Sequence, residues 1–211
     1  MYFNSQFKTL EPLASFEEDI IKNEPMFFSA SPAFALQNGG PITKQFLKQL
    51  PWKNDDGTMV FDSRVHMLMP GWYPCIPGWH HDDVPRTRSD GQPNYNEGKS
   101  QHIMAIVNGG ICPTYFAVGN GHLPEIPLGK VIYKEWHPLV ELLIKNNILT
   151  VCECPSNYMV QFNYQSFHRG SAAIRSGWRW FGRVTRNSTR KVTNEIRKQV
   201  QIYMSEENAG W

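Results

Sequence analysis

The sequence predicts a mainly β domain, a sandwich or barrel with a few flanking helices. Three observations point that way. From Met59 onward, short apolar or alternating segments are separated by Gly, Pro and Asn, the pattern of strands joined by turns. The chain holds no internal repeat, no low-complexity tract and no linker long enough to divide it. Its 211 residues suit a single domain, since domains commonly run to roughly 100–200 residues. The expected division is a helical or irregular N-terminal flank over 1–57, a β core over 58–186 and a C-terminal extension over 187–211.

In the flank, Ser15 is placed to cap a short helix from Phe16 to Asn23, with Glu17, Glu18 and Asp19 in its first turn. Pro41 to Leu50 reads as a second helix, with proline at its start and Pro51 beyond its end. The strand-like segments are Thr58–Phe61, Ser63–Met69, His102–Asn108, Thr114–Val118, Lys130–Tyr133, Leu149–Glu153, Tyr158–Tyr164 and Trp178–Thr185. One helix interrupts them. His137-Pro138 opens it, Leu139, Leu142, Leu143 and Ile144 line one face, and Asn146-Asn147 stops it. In the tail, Val200, Ile202 and Met204 alternate as in a strand.

Bulk properties exclude several classes. Hydrophobic residues make up 41% and charged residues 19%, the balance of a globular chain, and the formal charge of +2 gives no global field for nucleic acid. Cys75, Cys112, Cys152 and Cys154 have no zinc-type spacing and read as reduced, packed thiols. The first residues lack the apolar core of a signal peptide, and no apolar run approaches the ~18 residues of a membrane helix. The expected compartment is the cytoplasm, without a membrane partner.

Chemistry concentrates in Gly78-Trp79-His80-His81-Asp82-Asp83. In an extended segment alternate residues point to one side, so either His80 with Asp82 or His81 with Asp83 can chelate. Imidazole nitrogen and carboxylate oxygen suit Fe(II), and two His with one carboxylate leave open positions for oxygen chemistry. His168 is the candidate third ligand; it ends a run in which Val160, Phe162, Tyr164 and Ser166 share its parity. Further on, Arg179, Phe181, Arg183 and Thr185 share one face of a strand. An arginine facing into a β-barrel needs an anion. A dicarboxylate would supply one in the bidentate geometry arginine prefers. Arg175 and Arg183 compete with Arg179 for that role.

The order His-x-Asp, His, then Arg resembles the Fe(II)/2-oxoglutarate-dependent dioxygenases. Trp79-His80-His81-Asp82 looks like the Trp-His-x-Asp of phytanoyl-CoA hydroxylase-like members. Cys112–Gly119 is similar to their following strand, and His168-Arg169-Gly170 with Ser176–Phe181 to their last two core strands. The resemblance spans about residues 60–186. It implies a double-stranded β-helix (a jelly roll, cupin-like). It implies that His80, Asp82 and His168 hold Fe(II) and that Arg179 binds the distal carboxylate of the cosubstrate 2-oxoglutarate. Such enzymes release succinate and CO2 while hydroxylating a C–H bond of a small molecule or peptide. Two other readings use the same fold: a cupin-like metal protein that does not take 2-oxoglutarate, and a non-enzymatic jelly-roll binding or assembly protein.

Other features have plainer readings. Trp72, Tyr73, Trp79, Trp178 and Trp180 are more often packing than a substrate wall. Arg86 sits in a loop that could meet an anionic substrate, but reads as a solvated charge. Asp90–Ser100 is polar and Gly- and Asn-rich, as in a lid. His66, His102, His122 and His137 read as structural, although His66 lies in an alternating strand. Tyr115 is a candidate hydroxyl partner for 2-oxoglutarate. Arg183, Arg186, Arg190, Lys191, Arg197 and Lys198, diluted by Glu195, Glu206 and Glu207, read as a solvated edge rather than a nucleic-acid surface.

Overall fold

The computed structural model describes residues 1–52 and 59–205. The N-terminal part contributes strands β1 (Tyr2–Ser5), β2 (Lys8–Pro12) and β3 (Met26–Phe28), with helices α1 (Glu18–Lys22), α2 (Pro32–Asn38) and α3 (Pro41–Lys48). Strands β4 (Val60–Leu68), β5 (Gln101–Val107) and β6 (Thr114–His122) follow, then helix α4 (Ile132–Lys145). The last strands are β7 (Thr150–Glu153), β8 (Tyr158–Asn163), β9 (Phe167–Gly170), β10 (Gly177–Arg186) and β11 (Glu195–Arg197).

All pairings are antiparallel. The larger sheet has the spatial order β2-β8-β5-β10-β4. The smaller is built on β6, with β7 along one edge and β9 and β1 end to end along the other. On the far side of β9, the backbone at His80 closes a bridge to His168, with both amide bonds at 3.1 Å. Core strands therefore alternate between sheets: β4 large, the His80 segment small, β5 large, β6 and β7 small, β8 large, β9 small, β10 large. That winding is a double-stranded β-helix, the jelly roll expected from the sequence.

Three apolar layers fill the fold. Met104, Ile106, Phe116, Val160 and Phe162 pack between the sheets. Ile21, Ala35, Ile42 and Phe46 of the N-terminal helices cover the outer face of the larger sheet, against Phe61, Val65, Trp180 and Val184. Helix α4 covers the smaller sheet through Ile132, Tyr133, Trp136 and Val140, against Phe3, Ala117 and Phe167. The buried carboxylate of Glu24 accepts from the amides of Gly40, Ile42 and Thr43 at 2.9–3.2 Å, satisfying the first turn of α3. No described helix is long and apolar enough to cross a membrane.

Several local expectations change. Glu17, not Ser15, precedes the first helix, and no side chain caps it; the Ser15 hydroxyl accepts from Asn157 Nδ2 instead. The strand expected at Lys130–Tyr133 is the start of α4, which runs through Pro138. A proline there removes one helical bond, but the buried stripe of Ile132, Tyr133, Trp136 and Val140 needs the full length. Thr58–Phe61 and Ser63–Met69 are one strand, β4, with Thr58 outside the described residues. The run from Val160 to His168 is two strands in different sheets, separated by a turn in which Ser166 Oγ accepts from the amides of Asn163 and Gln6. In the flank, β1 joins the smaller sheet and β2 the larger. In the tail, the strand is β11, paired with β3, and beyond it Tyr203 makes an isolated bridge to Tyr73, with no strand over Val200, Ile202 and Met204.

Candidate metal centre

One end of the jelly roll opens into a cavity of about 360 Å³, lined by both sheets. His80, Asp82 and His168 meet in its wall, and one ligand atom from each lies within 4.8 Å of the others. No other such trio occurs among the described residues. The bridge between His80 and His168 sets this geometry, holding the two rings 4.6 Å apart, centroid to centroid.

Both imidazoles are oriented for a cation. His80 Nδ1 lies 2.9 Å from the Gly78 carbonyl and His168 Nδ1 lies 3.0 Å from the Ser166 carbonyl. A carbonyl only accepts, so each Nδ1 carries the hydrogen and each Nε2 keeps a lone pair for the site. His168 Nε2 then faces Asp82 Oδ2 at 3.0 Å. Two lone pairs repel at that distance, so a second proton or a metal cation must stand between them. The residues thus fit a divalent ion bound by two neutral imidazoles and a carboxylate. Burial, then the neighbouring His168, holds His80 down to about 4, with Asp82 opposing. Burial alone would raise the Asp82 carboxyl, but Arg183, then His168 and His80, hold it well below the ordinary range. His80 and Asp82 thus bring a neutral imidazole and an ionised carboxylate to the site at neutral pH.

The second register is not assembled. His81 turns the other way, its ring 3.8 Å from that of Phe167, and its Nδ1 lies 2.6 Å from the Tyr95 hydroxyl. Asp83 sits at positive φ and pairs with Arg190. That kink ends the extended segment and sends the two carboxylates to different partners.

The inner face of the larger sheet carries a polar ladder. Across β4 and β10, Asp62 lies opposite Arg183, Arg64 opposite Phe181 and His66 opposite Arg179. Arg179 is 3% exposed, and its Nη2 donates to Thr114 Oγ1 at 3.0 Å. Its Nε is buried with no hydrogen-bond partner. Arg183 pairs with Asp82 and leans toward Asp62, 3.9 Å away. Arg190 bridges Asp62 at 2.6 Å and Asp83 at 2.7 Å. Arg175 is exposed and does not line the cavity. Of the three candidate anchors, Arg179 alone is in the cavity wall without a carboxylate.

The remaining candidates fall as follows. Tyr115 packs on the far side of β6 beside the α4 cluster, and the hydroxyl beside Arg179 belongs to Thr114. Trp79 is fully buried; its indole donates to Glu141 Oε1 at 2.7 Å and lies beneath the Arg169 guanidinium at 4.6 Å. Trp180 is core, while Trp178 is half-buried. His102 is structural, between Thr185 and Ser100 hydroxyls and stacked on Phe162. His66, in contrast, faces the cavity, and burial followed by Arg179 holds it down to about 3. Cys75 also lines the cavity, but burial pushes its thiol up to about 11, so it stays protonated. The expected lid over 90–100 is tied down by Asp90, which accepts from Arg88, Gln92 and Gly129, and by half-buried Tyr95, whose hydroxyl donates to that of Tyr133. The C-terminal basic residues are not all a solvated edge, since Arg183, Arg190 and Arg197 line the cavity; Glu206 and Glu207 lie outside the described residues. The signal for this polar wall was the alternation Asp62, Arg64, His66 within one strand.

No protein-family model matches the chain. No curated protein matches it either. Among solved structures, it is similar to the iron-bound crystal structure of HygX from Streptomyces hygroscopicus, at 10% identity over 88% of this chain and 83% of that one, with a TM-score of 0.41.

Proposed function

We propose that this chain is a non-haem Fe(II)/2-oxoglutarate-dependent oxygenase that hydroxylates a small molecule or peptide. One observation carries the reading: a His80, Asp82, His168 trio with both Nε2 lone pairs turned inward shares a cavity with a buried, carboxylate-free Arg179. Iron bound by the trio would supply oxygen activation, coupled to conversion of 2-oxoglutarate to succinate and CO2. The protein's own part is positioning. Gly78 and Ser166 carbonyls fix the two ring tautomers. Arg179 and Thr114 present a guanidinium and a hydroxyl to the distal carboxylate of the cosubstrate. Arg183 holds Asp82 ionised, and the neutral His66 leaves the positive charge of Arg179 undiminished by a counter-ion.

This reading requires that Fe(II)-loaded protein convert 2-oxoglutarate to succinate in air, even slowly and without its true substrate. His168→Ala should remove that turnover. Turnover that persists in the variant with iron still bound would overturn the ligand assignment. Turnover that is absent in a wild-type protein that binds iron would favour a cupin-like metal protein.

A further inference from the structure

We infer that Arg64 and Arg197 form an oxyanion subsite in the cavity wall, so that the substrate is an anionic small molecule carrying a carboxylate or phosphate. The word substrate rests on the oxygenase reading; the anion subsite itself does not.

The cavity is lined by more arginines than aspartates. Asp62, Asp82 and Asp83 are taken up by Arg183 and Arg190. Arg64, Arg179 and Arg197 are left, together with the exposed Arg86 at the rim. Arg179 has its own neighbours, Thr114 and His66, and is the cosubstrate anchor proposed above. The other two have no ion-pair partner among the described residues. Arg64 stands opposite Phe181 in the β4–β10 ladder. Arg197 reaches in from β11, its Nε donating to the Phe27 carbonyl at 3.3 Å and its guanidinium stacked on the Phe28 ring at 4.4 Å. Neither contact uses the terminal nitrogens of Arg197. Among the described residues no carboxylate lies within 4.0 Å of either guanidinium.

Two half-buried arginines in the wall of one cavity repel one another unless an anion joins them. Burial and then Arg64 hold Arg197 below the ordinary arginine range, with Asp62 and Glu195 opposing at longer distance. A planar fork stacked on an aromatic ring is pre-organised, so little freedom is lost when it grips a carboxylate or phosphate in bidentate fashion. Phe28, Phe181 and Ile76 supply apolar wall for the rest of such a molecule. A bound divalent metal and a dianionic cosubstrate would cancel one another, leaving this positive excess for the substrate.

The test is calorimetric titration of the metal-free full chain at fixed ionic strength, with inorganic phosphate and, separately, with acetate. Saturable binding of at least one anion is expected, and the preferred one shows which source the subsite is built for. Arg64→Gln with Arg197→Gln should weaken it about 10-fold or more, since charge-assisted bidentate contacts are lost. Arg179→Gln should change it less than about threefold, a shift well under ~1 kcal/mol. If the double variant does not fold, Arg64→Lys and Arg197→Lys keep the charge, lose the fork, and should each weaken binding severalfold. Absence of saturable binding, binding unchanged in the double variant, or loss only in Arg179→Gln would overturn the subsite. Anion binding that survives while 2-oxoglutarate turnover is never found would remove the oxygenase reading alone.

Discussion

Replacing Asp62 by asparagine isolates the charge that balances the arginine side of the cavity. In the native structure Asp62 Oδ1 accepts from the Ser29 amide at 3.0 Å, and Oδ2 takes Arg190 at 2.6 Å, with Arg183 at 3.9 Å. Its side chain is only 6% exposed. Asparagine keeps the shape and one acceptor but leaves Arg190 with Asp83 and Arg183 with Asp82. Breaking a buried ion pair from one side costs about 3–5 kcal/mol. Arg190 is 30% exposed and keeps a second partner, so about 2–3 kcal/mol is expected here. Burial would raise the Asp62 carboxyl, but Arg190 and Arg183 outweigh it and hold it low. A depressed carboxylate stabilises the fold fully above its unfolded value of about 3.9 and loses that contribution as pH falls toward the folded value. Urea unfolding of both proteins at neutral pH and at about pH 3 reads the gap, and histidine protonation cancels between them. A gap below about 0.5 kcal/mol at neutral pH, within the ordinary scatter of surface changes, would refute the reasoning, as would a gap that does not shrink in acid.

Three further outcomes are expected. His66 protonates near 3 in the fold and near 6.5 when unfolded, so the unfolded chain takes the proton first and stability falls as pH drops from about 6.5. His66→Leu should therefore lose about 2 kcal/mol less than wild type between pH 7 and pH 5, at roughly 1.4 kcal/mol per pH unit, measured by denaturant titration. A Cβ added at Gly182 would collide with the fully buried indole of Trp180, so Gly182→Ala should cost about 1–3 kcal/mol of overpacking in thermal unfolding. His80→Ala should lower anaerobic Fe(II) affinity by at least about 100-fold, whereas His81→Phe, which acts outside the ligand set, should lower it about 10-fold at most; the reverse order would restore the alternative register.

The strands of the jelly roll were legible because most of them alternate or are apolar between Gly, Pro and Asn turns. Their grouping into sheets was not, since the turn at Tyr164–Ser166 looks like continued alternation. Pro138 misled for a related reason: locally it signals a helix start, but the burial of Trp136 and Tyr133 is decided by the far side of the smaller sheet. At the site, His80, Asp82, His168 and Arg179 stood out by residue type and order. What brings His80 rather than His81 beside Asp82 and His168 is the His80–His168 bridge and the left-handed Asp83, neither of which a local pattern reveals. The polar ladder was readable in part, because Asp62, Arg64 and His66 share a parity. The contribution of Arg190 and Arg197 was not, because both enter from chain segments distant in sequence.

The most direct measurement of the central claim is the affinity of Fe(II)-loaded protein for 2-oxoglutarate, titrated anaerobically in wild type and in Arg179→Gln. Binding of one equivalent to wild type, weakened about 10–100-fold in the variant by loss of a buried charged hydrogen-bond pair, is the expected result. Iron-loaded wild type that does not bind 2-oxoglutarate, or a variant that binds it equally well, would contradict it.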